Sequence, residues 1–281
     1  QHHTHIHSHM RQIIDGHYKQ QKKGSVRLWS NSLTLDLRLA NILGSLHAPK
    51  DHNFEPLKQS LRRCVLRVHQ FSKTRPTIIV KGFPLQKIES RLKYQRYGLA
   101  EVYNYMQAQK LGIPAPECYG YFEHRSWGTV KANGVLIEDL HGSQTLHDLA
   151  NEKPGQRDQI MAKAIPIIQQ LYEKGANHID TTAHNIMESP DGQKLVVIDW
   201  QYASFTQPKN TQQLILQAVQ FLRYTEMTPK TPEWTAWLTE LFELCNPNMD
   251  WPKFSENVRI LQSKKRANNK SRLSLSVDLP A

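Results

Sequence analysis

Residues 178–185 read HIDTTAHN, and the apolar run LVVID at residues 195–199 ends in Asp199, fourteen residues beyond Asn185. The first stretch has the form H-x-D-x-x-x-x-N and follows a helical pattern that stops at Gly175. The second reads as a strand, reached from a short strand near Ile186 through the turn Ser189-Pro190-Asp191-Gly192. A loop and a strand end thus present the amide oxygen of Asn185 and the carboxylate of Asp199, hard donors of the kind magnesium prefers. Asp180 is a carboxylate that can accept a hydrogen bond from a hydroxyl and orient it for attack. A metal holder together with such a carboxylate is what moving a charged phosphoryl group between oxygens requires. His178 reads as a brace of the loop. His184 has two readings, an approach to a γ-phosphate or a loop histidine with a backbone partner. Each of the others also has an ordinary reading: loop capping for Asp180 and Asn185, a turn closing a strand for Asp199.

Ahead of this pair of motifs lie CVLRVHQF (64–71) and TIIVKGF (77–83), rich in β-branched residues and separated by the turn-like SKTRP, which predict a hairpin. From residue 86 to 111 the pattern turns helical, with Ile88, Leu92, Leu99, Val102, Tyr103 and Met106 at spacings of three, four and seven. Gly98 argues against one unbroken helix, and Gly112 with Pro114 and Pro116 marks the end. Residues 118–123 and 135–140 predict short strands. Earlier still, Leu33, Leu35, Leu37 and Leu39 alternate with polar residues and predict a half-buried strand, followed by Ile42, Leu43 and Leu46 at helix-like spacing. Beyond residue 140, a helix is predicted near 145–151. A longer one, capped by Asp158, follows, broken or kinked at Pro166. Helices near 210–226, 232–245 and 251–264 complete the chain. Strands and one helix first, helices with one embedded hairpin later, is an α+β order without an internal repeat.

With these pieces in place the chain resembles the protein kinase-like superfamily, whose catalytic-loop and metal motifs have this form. The resemblance implies a bilobal fold with a β-rich N-lobe and a helical C-lobe, with ATP and Mg2+ bound. It makes Lys81 the strand lysine that meets the nucleotide phosphates and Glu101, twenty residues on, its helical ion-pair partner. It sets adenine against backbone groups near Glu138, Asp139 and Leu140. Asp180 is then the catalytic carboxylate, and Asn185 and Asp199 are the metal holders. Three departures matter. The metal motif reads Asp199-Trp200-Gln201, as in small-molecule kinases. No Ala-Pro-Glu motif follows, so a peptide platform is doubtful. The Gly-rich loop is absent, and Ser60, Arg62 or Arg63 either meets phosphate in its place or is ordinary surface. The stretches LAEVYNYMQAQKLGIPAPECYGYFE (99–123), LIEDLHG (136–142) and HIDTTAHNIM (178–187) look like the bacterial lipopolysaccharide kinases. That group phosphorylates heptose or Kdo hydroxyls of the lipopolysaccharide core, at the cytoplasmic side of the inner membrane.

Composition sets the outer limits. With 281 residues and 39% apolar content the chain can bury a sizeable core, and no apolar run approaches membrane-spanning length. Cys64, Cys118 and Cys245 are odd in number and lack CxxC spacing, which argues against zinc or a disulfide framework and for a reducing cytoplasm. The formal charge of +11 suits an anionic glycolipid acceptor, a phosphorylated soluble sugar or peripheral contact with an anionic membrane surface. No docking motif accompanies it, so no specific nucleic acid is expected. The HxH pairs of QHHTHIHSH lack an apolar strand and read as an expression tag over 1–9 rather than a metal site. The expected divisions are an extension at 10–50, N-lobe at 51–137, C-lobe at 138–265, and a flexible basic tail at 266–281. Lys264, Lys265, Arg266, Lys270 and Arg272 make the last of these basic. Two alternatives stay open. An aminoglycoside- or choline-kinase-like enzyme would need carboxylates for a cationic acceptor, and Glu226, Glu233, Glu240 and Glu243 are dispersed. A pseudokinase module is suggested by the missing Gly-rich loop and opposed by the five retained polar residues.

Overall fold

The hairpin expected at 64–83 forms, as the second and third strands from one edge of a seven-stranded antiparallel sheet. The computed structural model describes residues 2–51, 53–92 and 97–281, so Gln1 of the expected tag and residues 93–96 of the expected helix lie outside the described residues. The chain divides into two units, 1–106 with 116–139, and 107–115 with 140–281. The first contains α1 (His2–His17), β1 (Gln20–Lys23), β2 (Val26–Trp29), α2 (Leu37–Leu43), β3 (Phe54–Gln59), β4 (Cys64–His69), β5 (Thr77–Pro84) and α3 (Ile88–Leu92). It continues with α4 (Tyr97–Lys110), which runs on into the second unit, then β6 (Cys118–Ser126) and β7 (Thr129–Glu138). The strand order is β1-β2-β6-β7-β5-β4-β3. Cys64 pairs with Gly82 and Val65 with Lys81 across β4 and β5, which puts alternate residues on opposite faces.

One face carries Leu66, Val68, Ile78, Val80 and Leu136, packed with Leu35, Leu39, Ile42 and Leu43. Each such side chain contributes roughly 1.5–3 kcal/mol when fully buried. The residues read as an extension therefore do two jobs: 20–29 supply two strands, and α2 covers the back of the sheet. The strand expected at 33–39 is not formed. Asp36 accepts a hydrogen bond from the Leu39 amide and caps α2, so Leu39 turns inward while Leu37 is exposed. Period two over four leucines was a coincidence of an extended entry and a first helical turn. α1 runs through the expected boundary at Met10 without a break. It lies over the opposite face of the sheet, where Arg11 stacks on Trp29 and Asp15 accepts from the Trp29 indole at 2.7 Å.

The second unit holds β8 (Gln144–Thr145), α5 (Leu146–Glu152), α6 (Arg157–Ala162), α7 (Ala164–Lys174), β9 (Ala176–His178), β10 (Ile186–Glu188), β11 (Leu195–Val197) and β12 (Ala203–Phe205). The helices α8 (Thr211–Tyr224), α9 (Pro232–Cys245), α10 (Trp251–Ser263) and α11 (Asn269–Leu273) follow. Asn210, Thr231 and Asp250 cap α8, α9 and α10, the last two with proline in the first turn. The helical run from 157 breaks at Lys163, which puts Pro166 in the first turn of α7, where its missing N–H costs little. Asp158 lies in the first turn of α6 and is not its cap. Gly175 closes α7 with φ +69° and approaches the Thr206 carbonyl so closely that a Cβ would sit 2.3 Å from it. That closure feeds the chain straight into β9 and the motif of residues 178–185.

The tail expected to be flexible is folded. α11 is capped by Asn268, and Ser204 donates to the Leu273 carbonyl at 2.6 Å. Asn177 donates to the Arg272 carbonyl at 3.0 Å, and Gln212 to that of Val277. Polar side chains of the body satisfy tail backbone groups, an anchoring that hydrophobic periodicity does not reveal.

Candidate active site

Lys81 stands on β5 on the face away from α2, between Val65 of β4 and Val135 of β7. It is 7% exposed, and its Nζ lies 2.7 Å from the Glu101 carboxylate, which is wholly buried on α4. α4 reaches the sheet because two glycines leave room. A Cβ on Gly98 would come within 2.5 Å of Gly134, and one on Gly134 within 2.1 Å of the Lys81 carbonyl. Asn133 fixes the approach by accepting from the Gly98 amide at 2.7 Å. Gly98, read in sequence as a helix weakness, is the contact point that sets the depth of Glu101. Phe83, two residues along β5, carries Lys81 on its ring at 5.7 Å and Arg63 at 6.0 Å. Arg63 therefore shares the face of Lys81, whereas Arg62 is exposed on the β3–β4 turn. That turn is built without glycine, the Ser60 hydroxyl accepting from the Arg63 amide at 3.1 Å. Farther along β7, the Glu138 amide donates to Glu117 O, and the Asp139 carboxylate is held by Arg67 at 2.8 Å. The side chain of Asp139 is thus committed within the sheet. Leu140 opens the second unit, its carbonyl accepting from the Ser143 amide.

In the second unit the motif of residues 178–185 is organised by His178, which is fully buried. Its Nε2 lies 3.0 Å from the Ile198 carbonyl, and its Nδ1 accepts the Asp180 amide at 3.2 Å. One nitrogen must donate and the other accept, which fixes the neutral imidazole in its Nε2–H form. The ring thereby ties the Asp180 loop to the strand end that carries Asp199. Burial lowers the His178 pKa below the ordinary 6.5, the charges of Asp199 and Asp180 opposing it. A lowered histidine takes up its proton in the unfolded chain first. Its stabilising contribution is therefore whole above pH 6.5 and lost as the pH falls below that value. Melting temperatures recorded from pH 8 to pH 5 are expected to fall on the acid side, and a His178→Gln variant to show a flatter acid limb.

Asn185 sits five residues beyond Asp180 and donates its amide NH2 to the Asp180 carbonyl at 2.8 Å. Its Oδ1 is consequently the end available as a ligand. Ile198 donates to the Asn185 carbonyl at 2.9 Å, so loop and strand are stitched together at a second point. Asp199 has φ +62°, the left-handed region that an aspartate seldom occupies, and Trp200 behind it is buried with its indole N–H on the Val197 carbonyl at 2.9 Å. The buried tryptophan holds the aspartate in this conformation. The Asn185 amide oxygen and the Asp199 carboxylate are hard oxygen donors of the kind magnesium takes. Among the described residues there is no group of three or more His, Cys, Asp or Glu side chains that could hold a metal ion. His184 is exposed and stacks on His147 with ring centres 4.0 Å apart; burial and the neighbouring His147 lower its pKa. The cysteines are free, and burial pushes Cys118 and Cys245 up to about 12, which removes them as nucleophiles near neutrality.

Two contacts to Asp180 were not read from the sequence. Gln220 Nε2 lies 3.4 Å from its carboxylate, and Arg272 Nη1 lies 3.8 Å from the same oxygen. Gln220 ends a stripe on α8. Gln213 donates to Leu171 O and Ala176 O, and Gln217 to His178 O. All three glutamines are buried. Their spacing of four and three on one helix face is a visible signal, a polar stripe where an apolar one belongs. Arg272 carried no such signal.

An ion-paired strand lysine in a sheet unit, and in a helical unit an H-x-D-x-x-x-x-N loop braced to a strand-end aspartate, are the marks of a protein kinase-like phosphotransferase. The profile of the lipopolysaccharide kinase (Kdo/WaaP) family matches residues 87–235, more than half of the chain, and the chain belongs to that family. The family comprises kinases acting on sugar hydroxyls, and ATP use is implied by it. A solved structure described as WaaP in complex with acyl carrier protein is similar at 13% identity, covering 75% of this chain and 89% of that one with a TM-score of 0.49. No curated protein matches the chain. No helix among the described residues is long and apolar enough to cross a membrane.

Proposed function

We propose that the chain transfers the γ-phosphate of magnesium-bound ATP to a hydroxyl of a lipopolysaccharide core sugar, with Lys81, Glu101, Asp180, Asn185 and Asp199 as its working residues. The observation that carries this assignment is the braced loop. His178 and Asn185 fix the Asp180 backbone from both sides, and Asn185 keeps an oxygen to offer beside the strained Asp199. Lys81, oriented by Glu101, meets the nucleotide phosphates, with Arg63 on the same face of the sheet adding charge. Backbone groups near Glu138 to Leu140 meet the adenine. Asn185 and Asp199 would hold Mg2+, which would supply neutralisation of phosphate charge. Asp180 accepts the hydrogen bond of the acceptor hydroxyl. The hydroxyl oxygen forms the new bond to phosphorus, the bond to the bridging β-oxygen breaks, ADP leaves, and the hydroxyl proton passes to Asp180. Positioning and charge stabilisation then account for the rate, without a covalent enzyme intermediate. The excess of basic residues suits work at an anionic inner-membrane surface.

The test is incubation with γ-labelled ATP and Mg2+ against core oligosaccharide, free sugars, an aminoglycoside and a generic protein. Label is expected in the core oligosaccharide. Label confined to the aminoglycoside would overturn the acceptor assignment. The absence of both label and a magnesium–ATP thermal shift would make the chain a binding module.

A further inference from the structure

α8, α10, the connection after α10 and the C-terminal segment enclose a hollow of about 250 Å³ in the second unit. Its walls are of two kinds. Leu216, Val219, Leu261 and Val277 supply an apolar surface, and Arg223, Lys264, Lys265, Arg266 and Arg272 supply cationic groups, with Asp278 the one acidic side chain lining it. Among the described residues Arg223, Lys264, Lys265 and Arg266 make no ion pair. Arg272 is crowded by like charge. Burial lowers its pKa, Asp180 works against that shift, and Arg266 and Arg223 add to it. Arg223 donates to the Leu261 and Lys264 carbonyls and Arg266 to the Tyr224 hydroxyl, so these groups are held in place by neutral acceptors, and the positive charge along the apolar wall exceeds the negative charge lining it.

The hollow is joined to Asp180 through two of its lining residues. Gln220 and Arg272 both line it, and both approach the Asp180 carboxylate, at 3.4 and 3.8 Å. Arg272 is 5% exposed and cannot move away freely. It donates to Ile179 O at 2.7 Å, Ala267 O at 3.2 Å and Asn269 Oδ1 at 2.7 Å. A molecule seated in the hollow therefore stands beside the group assigned to orient the acceptor hydroxyl. The volume lies below the roughly 300–1,000 Å³ of pockets that engulf a drug-sized ligand, so a single substituted sugar suits it better than an extended chain. A sugar ring with a carboxylate or phosphate has the matching pair of surfaces, C–H groups for the apolar wall and an anion for the rim.

We propose that this hollow is an acceptor subsite that binds the carboxylate or phosphate substituent of an acidic sugar, next to the hydroxyl that Asp180 orients. The word acceptor rests on the kinase assignment above; the anion site itself does not. The site also separates acceptor classes. An aminoglycoside or choline group would meet five cations.

The experiment measures binding of fluorescently labelled acidic core oligosaccharide to the full chain at low and high salt. Comparison ligands are the same oligosaccharide stripped of phosphate and a neutral maltooligosaccharide. Wild-type protein is expected to prefer the acidic oligosaccharide. Lys264→Gln with Lys265→Gln, both exposed, is expected to weaken that binding by about tenfold and flatten its salt dependence, with an unchanged melting temperature. Loss of affinity on phosphate removal identifies phosphate as the bound group, and its retention identifies carboxylate. A control pair, Lys22→Gln with Lys23→Gln, is exposed on β1 of the other unit. An equal loss in that control, or binding by the first pair equal to wild type, overturns the subsite. Acidic-sugar binding that survives when magnesium–ATP fails to bind would leave the subsite standing and the kinase assignment fallen. Phosphotransfer with no effect of Lys264 and Lys265 would do the reverse.

Discussion

Asp180→Asn lowers phosphotransfer to core oligosaccharide by about 10²–10⁴-fold, the range for loss of a positioned general base. The substitution is isosteric, and apart from the 3.8 Å approach of Arg272 the frame around it is made of hydrogen bonds that do not need the charge. His178 Nδ1 holds the backbone amide of residue 180, Asn185 Nδ2 holds its carbonyl, and Arg272 keeps its three other acceptors. Gln220 can present its oxygen in place of its NH2 to the new amide. Melting temperature and magnesium–ATP binding should therefore stay near wild type while kcat falls. That split separates Asp180 from Asp199. Asp199→Asn is expected to weaken the magnesium dependence of ATP binding as well, because it removes charge from the metal holder. The comparison needs a thermal shift with and without magnesium and steady-state rates for both variants. Transfer by Asp180→Asn within tenfold of wild type would remove this residue from the chemistry.

The residues of the candidate site were legible to different degrees, for physical reasons. Lys81 and Glu101 were read through the family resemblance: the strand is buried along both faces and the helix has little amphipathic bias, so spacing alone did not mark their faces. The 178–185 and 195–199 motifs were legible as chemistry, since few residue types can hold a hard cation. What spacing could not show was how far apart in sequence the supports lie. His178 acts across twenty residues through Ile198, and Arg272 across more than ninety through Ile179. The four leucines from 33 to 39 misled because a capping aspartate can halve an alternating run into loop and helix. The tail misled because it is held by body side chains on tail carbonyls and by one buried guanidinium, and neither leaves a hydrophobic period to read. Polar docking of this kind is visible only as an excess of amides and hydroxyls near the partner, such as Asn177, Ser204 and Gln212.

The second large effect concerns stability. Glu101→Leu removes the carboxylate paired with an ammonium that is 7% exposed, and breaking a buried pair from one side costs about 3–5 kcal/mol. Urea unfolding should show a lower midpoint that, multiplied by the slope m, gives a loss of that size. Lys81→Met leaves the more deeply buried member, but a carboxylate can neutralise itself by taking up a proton, so its penalty is expected to shrink as the pH is lowered. The double variant Lys81→Met with Glu101→Leu replaces both charges by apolar groups of similar length on the same two elements. Buried pairs replaced in this way are often neutral or stabilising, so the double variant is expected to recover most of the lost stability and no phosphotransfer. The non-additivity is the informative quantity. If the double variant is as unstable as Glu101→Leu alone, the pair is a structural element that α4 needs in order to dock. If it is stable and inactive, the ion pair persists in this fold because an oriented ammonium is required for function, and its stabilisation of the sheet unit is incidental.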